Sequence, residues 1–155
     1  MKKILPFFLF LLIPIYCSNA QNVFELDVTV STAVNDYFGD ANVGLGANLS
    51  YLIPVSELVH FGPSAGFTLF LVNGSDNYGL VPITASGRVQ ISQRFFAGVD
   101  LGYSFLIVDD IHGGFYYRPK IGYDFKAWSL LASYTGTTQD YGTLSFMGLG
   151  VEFGL

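Results

Sequence analysis

An all-β fold, an eight-stranded antiparallel up-and-down transmembrane β-barrel, is what this sequence predicts, and three observations predict it. Eight segments separate apolar from polar residues with a period of two. The chain is 51% hydrophobic and only 12% charged, too oily a balance for an aqueous surface. Past residue 20, no uninterrupted apolar run is long enough for a spanning helix. A chain that lives in lipid without such a helix has one way to satisfy its backbone. An open sheet edge cannot face hydrocarbon, and only a closed barrel has no edge.

The first twenty residues read as a removable leader. Lys2 and Lys3 are followed by the apolar run Ile4 to Ile15, too short to span as a helix, and then by Ser18-Asn19-Ala20, the small residues a signal peptidase needs. Residues 1–20 are therefore expected to be a signal peptide and 21–155 a single barrel domain. Cys17 is preceded by Tyr16 rather than by a small residue, which argues against lipid attachment. No other cysteine exists, so packing and hydrogen bonding must stabilise the exported chain without disulfides. The net charge of -5, with no basic patch, excludes nucleic acid as a partner.

The strands follow in order. The first, Val23 to Ala33, sets Phe24, Leu26, Val28 and Val30 against Glu25, Asp27, Thr29 and Ser31; Asn35-Asp36 and Gly39-Asp40 then mark a loop. The second, Asn42 to Leu52, alternates Val43, Leu45, Ala47, Leu49 and Tyr51 with Gly44, Gly46, Asn48 and Ser50, and ends in a short turn at Pro54 to Glu57. The third, Val59 to Leu71, alternates Phe61, Ala65, Phe67 and Leu69 with His60, Gly62, Ser64, Gly66 and Thr68, and leads into the polar loop 73–77. The fourth, Leu80 to Ile91, sets Val81, Ile83, Ala85 and Val89 against Thr84, Ser86, Arg88 and Gln90. Ser92-Gln93 is a tight-hairpin connection to the fifth, Phe95 to Phe105, whose eleven residues match the roughly 9 to 11 that a tilted strand needs to cross a bilayer.

After Asp109 to Gly114 comes the sixth, Phe115 to Phe125, with Arg118, Lys120, Gly122 and Asp124 on the polar face. The seventh, Trp128 to Thr137, and the eighth, Thr143 to Leu155, complete the set, the latter with Gly148, Gly150, Glu152 and Gly154 inward. Connections after the even strands are brief. Those after the odd strands carry Asp, Asn and Gly and are expected to run about four to eight residues.

Energy decides which face meets lipid. Turning the strands over would put Glu25, Asp27, Arg88, Asp100, Arg118, Lys120, Asp124 and Glu152 against hydrocarbon, at up to about 2 to 4 kcal/mol for each base near the midplane. The same argument rejects a soluble lipocalin-like barrel, whose cavity would be apolar and whose outside polar. These eight residues are therefore expected to form a polar network inside the barrel. Folding about residue 110 would set Asp100 opposite Lys120 and Ser104 opposite Tyr116, and Arg88 should meet Glu152 across the lumen. Five inward acids against three bases would leave at least two carboxylates without a basic partner. Outward aromatics, among them Phe24, Phe95, Phe125 and Trp128 at one rim and Phe105, Phe115 and Tyr134 at the other, read as two interfacial girdles. Pro63 and Pro119 fall inside strands and predict local bulges.

With its leader, its eight alternating segments and its final strand, the chain resembles the small outer-membrane β-barrel proteins of the outer-membrane protein A and X type. Gly150, Phe153 and Leu155 resemble the terminal signal that the barrel-assembly machinery reads, with Leu155 standing where Phe is typical. The resemblance implies the outer membrane of a Gram-negative bacterium, lipid as the surroundings and the assembly machinery as a partner during insertion. A monomer without cofactor or metal is expected, acting as a structural or envelope-interaction protein rather than an enzyme. Two alternatives stay open. Inward glycines such as Gly44, Gly98 and Gly122 would leave room for a narrow gated pore, and His112 beside Asp109 and Asp110, with Ser75-Asp76, would suit a lipid-modifying enzyme. His60 is expected to hydrogen-bond within the lumen, and the loop acids lack the spacing of a calcium loop.

Overall fold

Strands form wherever the sequence alternates: β1 (Val23–Ala33), β2 (Ala41–Pro54), β3 (Val59–Val72), β4 (Tyr78–Gln90), β5 (Phe95–Ile107), β6 (Ile111–Asp124), β7 (Ser129–Gln139) and β8 (Gly142–Gly154). The computed structural model describes residues 23–34, 41–72, 77–107, 111–139 and 142–155. The leader at 1–20, Ser75 and the acids Asp36, Asp40, Asp76, Asp109, Asp110 and Asp140 lie outside the described residues, as does the side chain of His112.

Each strand pairs antiparallel with its sequence neighbours, and β1 pairs with β8 to close the barrel. Closure removes the edges that hydrocarbon would not tolerate. The closure is staggered. A row of paired positions leaving Ser31 passes Gly148, Ser133, Lys120, Gly98, Arg88 and His60 and reaches β2 at Pro54, although Ser31 itself faces Gly44 on that strand, a stagger that tilts the strands against the barrel axis.

Alternation gives the wall its two sides. Leu45, Ile83, Leu101, Ile121, Leu130 and Leu149 stand exposed on the outside, while Ser50, Ser86, Asp100, Ser104, Arg118 and Lys120 are buried inside. Aromatic rings gather at the end where the even-to-odd turns lie. Phe95, Tyr123, Phe125 and Trp128 form a continuous run with successive centroids 4.8, 4.8 and 4.5 Å apart. Nearer the other end, Tyr103 packs on Phe105, and Tyr117 on Phe115 and Tyr134.

The turns at 55–58 and 91–94 repeat one solution, whereas at 125–128 Phe125 N donates to the Trp128 carbonyl and Ala127 N to the Phe125 carbonyl. The N–H groups of Val55 and Ser56 both donate to the Val59 carbonyl, and those of Ile91 and Ser92 to the Phe95 carbonyl. Serine hydroxyls close the first two from the other side: Ser56 Oγ accepts from Val59 N at 3.1 Å and Ser92 Oγ from Phe95 N at 3.2 Å.

Three expectations are corrected. The connections after β5 and β7 are shorter than the alternation suggested, because β5 and β6 extend to Ile107 and Ile111, and β7 and β8 to Gln139 and Gly142, while those after β1 and β3 keep the expected length. No bulge accompanies Pro63 or Pro119. Both keep the register, Pro63 opposite Ala85 and Val99 opposite Pro119, and the pairing simply lapses toward the other neighbour, β2 and β7 respectively. A missing N–H costs one side of the ladder without displacing a residue. Finally, Asp100 lies opposite Arg118, Lys120 opposite Gly98 and Ser104 opposite Gly114, because the β5–β6 connection is centred at residue 109 instead of 110. A slip of two residues preserves the inside and outside, so the faces were unaffected.

Candidate functional site

Inward side chains fill the lumen in two chemically different layers. The layer toward the turn end is ionic and is organised around Arg88 of β4. Its Nη1 donates to Glu25 Oε1 of β1 at 2.6 Å and to Glu152 Oε1 of β8 at 2.5 Å, and its Nη2 to Asp124 Oδ1 of β6 at 3.0 Å. The guanidinium also lies over Phe96, with Cζ 3.5 Å from the ring centroid. Phe96 is itself fully buried, so the ring is a fixed floor for the cation. Asp124 is held further by Ser129 Oγ at 2.5 Å and Gln90 Nε2 at 2.9 Å.

Deeper in, Arg118 of β6 reaches across the lumen to Asp27 of β1 with two bonds, Nη2 to Oδ1 at 2.9 Å and Nη1 to Oδ2 at 3.2 Å. Such forked pairing is the strong form of the interaction. Asn48 donates to the same carboxylate at 3.3 Å. Asp100 of β5 accepts from Ser86 Oγ and lies 3.6 Å from Arg118 Nη1. Lys120 joins the two clusters. Its Nζ, fully buried, sits 3.4 Å from Asp100 Oδ1 and 3.9 Å from Glu152 Oε2.

All eight residues of the expected polar set therefore lie in one connected network. The count of acids and bases misled in one respect: no inward carboxylate of the set lacks a base within 4.0 Å, because Arg88 serves three of them and Arg118 and Lys120 share Asp100. Burial of that many charges is tolerable only when each is paired, since an isolated charge in such a place would cost several kcal/mol. Of the His60 ring nitrogens, Nδ1 is buried without a hydrogen-bond partner.

The second layer, toward the loop end, is apolar. Phe70, Tyr78, Leu80, Leu106, Tyr116, Leu144 and Phe146 form a buried cluster inside the barrel, with Ala33 packed against it. Phe70 is its centre, 4.8 Å from Tyr78 and 4.7 Å from Phe146 between ring centroids. The lumen is thus not polar throughout, and the alternation rule concealed this. These residues occupy inward positions at strand ends, where apolar residues on both faces erase the period of two. Between the layers lies a cavity of about 20 Å³ bordered by Thr29, Asn48, Tyr116, Arg118 and Thr135, room for about one water.

The inward glycines do not hollow the lumen. A Cβ at Gly122 would overlap the Phe96 ring, one at Gly98 would come 3.0 Å from Lys120 Cε, and one at Gly44 would come 2.7 Å from Phe70 Cε1. Each glycine gives a bulky neighbour from another strand a place to lie flat against the wall. At the turn end the lumen opens into a recess of about 410 Å³ lined by Glu25, Arg88, Asp124, Lys126, Trp128 and Glu152. Of the terminal residues, Gly150 faces Thr29 and Phe153 faces Leu26 within the closing strand, and just past its end Leu155 N donates to the Phe24 carbonyl at 2.8 Å.

No protein-family model matches the chain, and no curated protein matches it in sequence. Solved structures do match it in shape. The N-terminal β-barrel domain of Pseudomonas aeruginosa OprF superposes with a TM-score of 0.65 at 14% identity, over 88% of this chain and 100% of that one. The attachment invasion locus protein Ail of Yersinia pestis gives 0.60 at 12% identity, over 88% and 99%. Neisserial surface protein A gives 0.52 at 15% identity, over 85% and 96%. Ail has also been solved in complex with the heparin analogue sucrose octasulfate. An antiparallel wall of eight strands, apolar outside and closed on itself, gives this chain the fold of the small outer-membrane β-barrels.

Proposed function

We propose that the chain is exported by its leader, inserted into the outer membrane of a Gram-negative bacterium, and serves there as a closed, non-catalytic barrel in a structural or envelope-interaction role. The two-layered filling of the lumen carries this reading. A solute entering from the turn end would have to break the Arg88, Arg118 and Lys120 ion pairs and then displace the Phe70 cluster. Leakage past either layer alone would leave the other as a barrier. The structural neighbours support placement in the outer membrane.

Gly150, Phe153 and Leu155 are proposed as the signal read by the assembly machinery, and the barrel is proposed to be a monomer surrounded by lipid. The polyanionic ligand of Ail is not carried over to this chain, because the segments joining the odd strands to the even ones contain aspartates and no lysine or arginine. Membrane fractionation of cells producing the chain tests the location, and mass spectra of lipid A with and without the gene test the non-catalytic role. Recovery in the outer-membrane fraction with unchanged acyl chains is expected. A changed acyl pattern would move the reading to the lipid-modifying alternative.

A further inference from the structure

The positive charges that do not serve the lumen are concentrated at one place. After residue 20 the sequence holds five lysines and arginines, and three of them, Arg88, Arg118 and Lys120, are consumed inside. The other two, Arg94 and Lys126, are exposed on adjoining turns, which the bond from Asp124 N to the Arg94 carbonyl at 2.7 Å holds side by side. The third turn at that end carries Glu57 and no base. Among the described residues neither Arg94 nor Lys126 forms an ion pair. Arg94 instead donates to the Tyr123 hydroxyl at 2.9 Å, which turns its guanidinium along the outer wall.

Lys126 adds an independent observation. Its φ of 74° makes it the one non-glycine residue with positive φ among those described, at a turn position where glycine or asparagine would be relaxed. A lysine held there bears a backbone cost that glycine would avoid, and residues in such conformations cluster at functional positions. Directly above lies the ring run Phe95, Tyr123, Phe125 and Trp128, the kind of collar that sits at the level of lipid headgroups.

We propose that Arg94 and Lys126, with this aromatic collar, form a binding site for the headgroup of an anionic phospholipid in the leaflet that the turns face. The phosphate would lie between the two cations, and the acyl chains would run along the apolar wall beside Phe95 and Ile121. The inference rests on the reading of the chain as membrane-spanning.

Trp128 is the only tryptophan, and it stands in the collar two residues from Lys126, so its fluorescence reports the lipid at this site. The full chain would be refolded into phosphatidylcholine vesicles containing either brominated phosphatidylglycerol or brominated phosphatidylcholine at equal fractions. Quenching should show a preference for the anionic lipid of about threefold or more. It should fall to parity in the Arg94→Gln/Lys126→Gln double variant and persist in Lys126→Arg. Lys126→Gly, which relieves the turn, should keep the fold while weakening the preference. Equal quenching by both lipids in the unmodified chain, or a preference that survives the double variant, would overturn the site. Absence of quenching by either lipid would instead overturn the membrane-spanning reading beneath it.

Discussion

Arg88 and Glu152 sit on strands that do not pair with each other, β4 and β8, yet their side chains meet across the lumen at 2.5 Å. The same guanidinium holds Glu25 and Asp124, so one residue ties β1, β4, β6 and β8 together from the inside. Backbone pairing holds each strand only to its neighbours. This contact spans the barrel.

Removing that tie should be among the most damaging single changes. Arg88→Met leaves Glu25, Asp124 and Glu152 clustered without their shared cation, and a loss of about 3 to 5 kcal/mol is expected. Urea titration of the refolded protein in vesicles, followed by Trp128 fluorescence, measures it. A loss below about 1 kcal/mol would show that water in the turn-end recess already solvates these carboxylates.

Asp27 and Arg118 offer the complementary experiment. Each single substitution, Asp27→Asn or Arg118→Met, should destabilise strongly, while the double variant should recover much of the loss, because a buried pair contributes far less than either orphaned partner costs. A double-mutant cycle in the same titration gives the coupling directly. Additive losses would mean that the two residues act independently.

The packing of Phe96 against Gly122 predicts a steric effect with a specific remedy. Gly122→Ala should cost about 1 to 3 kcal/mol by pushing the ring off its seat beneath Arg88, and Phe96→Leu should restore part of that in the double variant. Absence of any rescue would place the strain elsewhere.

Gly62 and Pro63 are neighbours with opposite expected behaviour. A Cβ on Gly62 would overlap the Tyr51 carbonyl, so Gly62→Ala should destabilise by about 1 to 3 kcal/mol. Pro63 is exposed and its pairing toward β2 lapses, so Pro63→Val supplies a missing N–H and should be neutral or mildly stabilising. Heat-modifiable gel mobility compares the two. A destabilised Pro63→Val would show that proline's fixed φ shapes the strand there.

The strands and their faces were legible because two solvents enforce alternation: Val23–Ala33 agrees at both ends, and the boundaries of the other strands differ by a few residues. Register was less legible. Asp100 against Lys120 differs from the observed Asp100 against Arg118 by two residues, a slip that alternation cannot detect and that only the loop geometry settles. The apolar layer was missed although Phe70, Leu80, Leu106 and Phe146 are plain in the sequence, since apolar residues on both faces look like the end of a pattern. Long-range sharing was invisible as well. That Arg88 serves three carboxylates follows from closure of the barrel, not from any local spacing.

The central claim is that ion pairs and an apolar cluster together close the lumen, and single-channel recording in planar bilayers tests it most directly. The refolded chain should give no conductance above that of the bare bilayer. Reproducible steps of unitary conductance, abolished when the protein is omitted, would contradict the claim and establish a narrow pore.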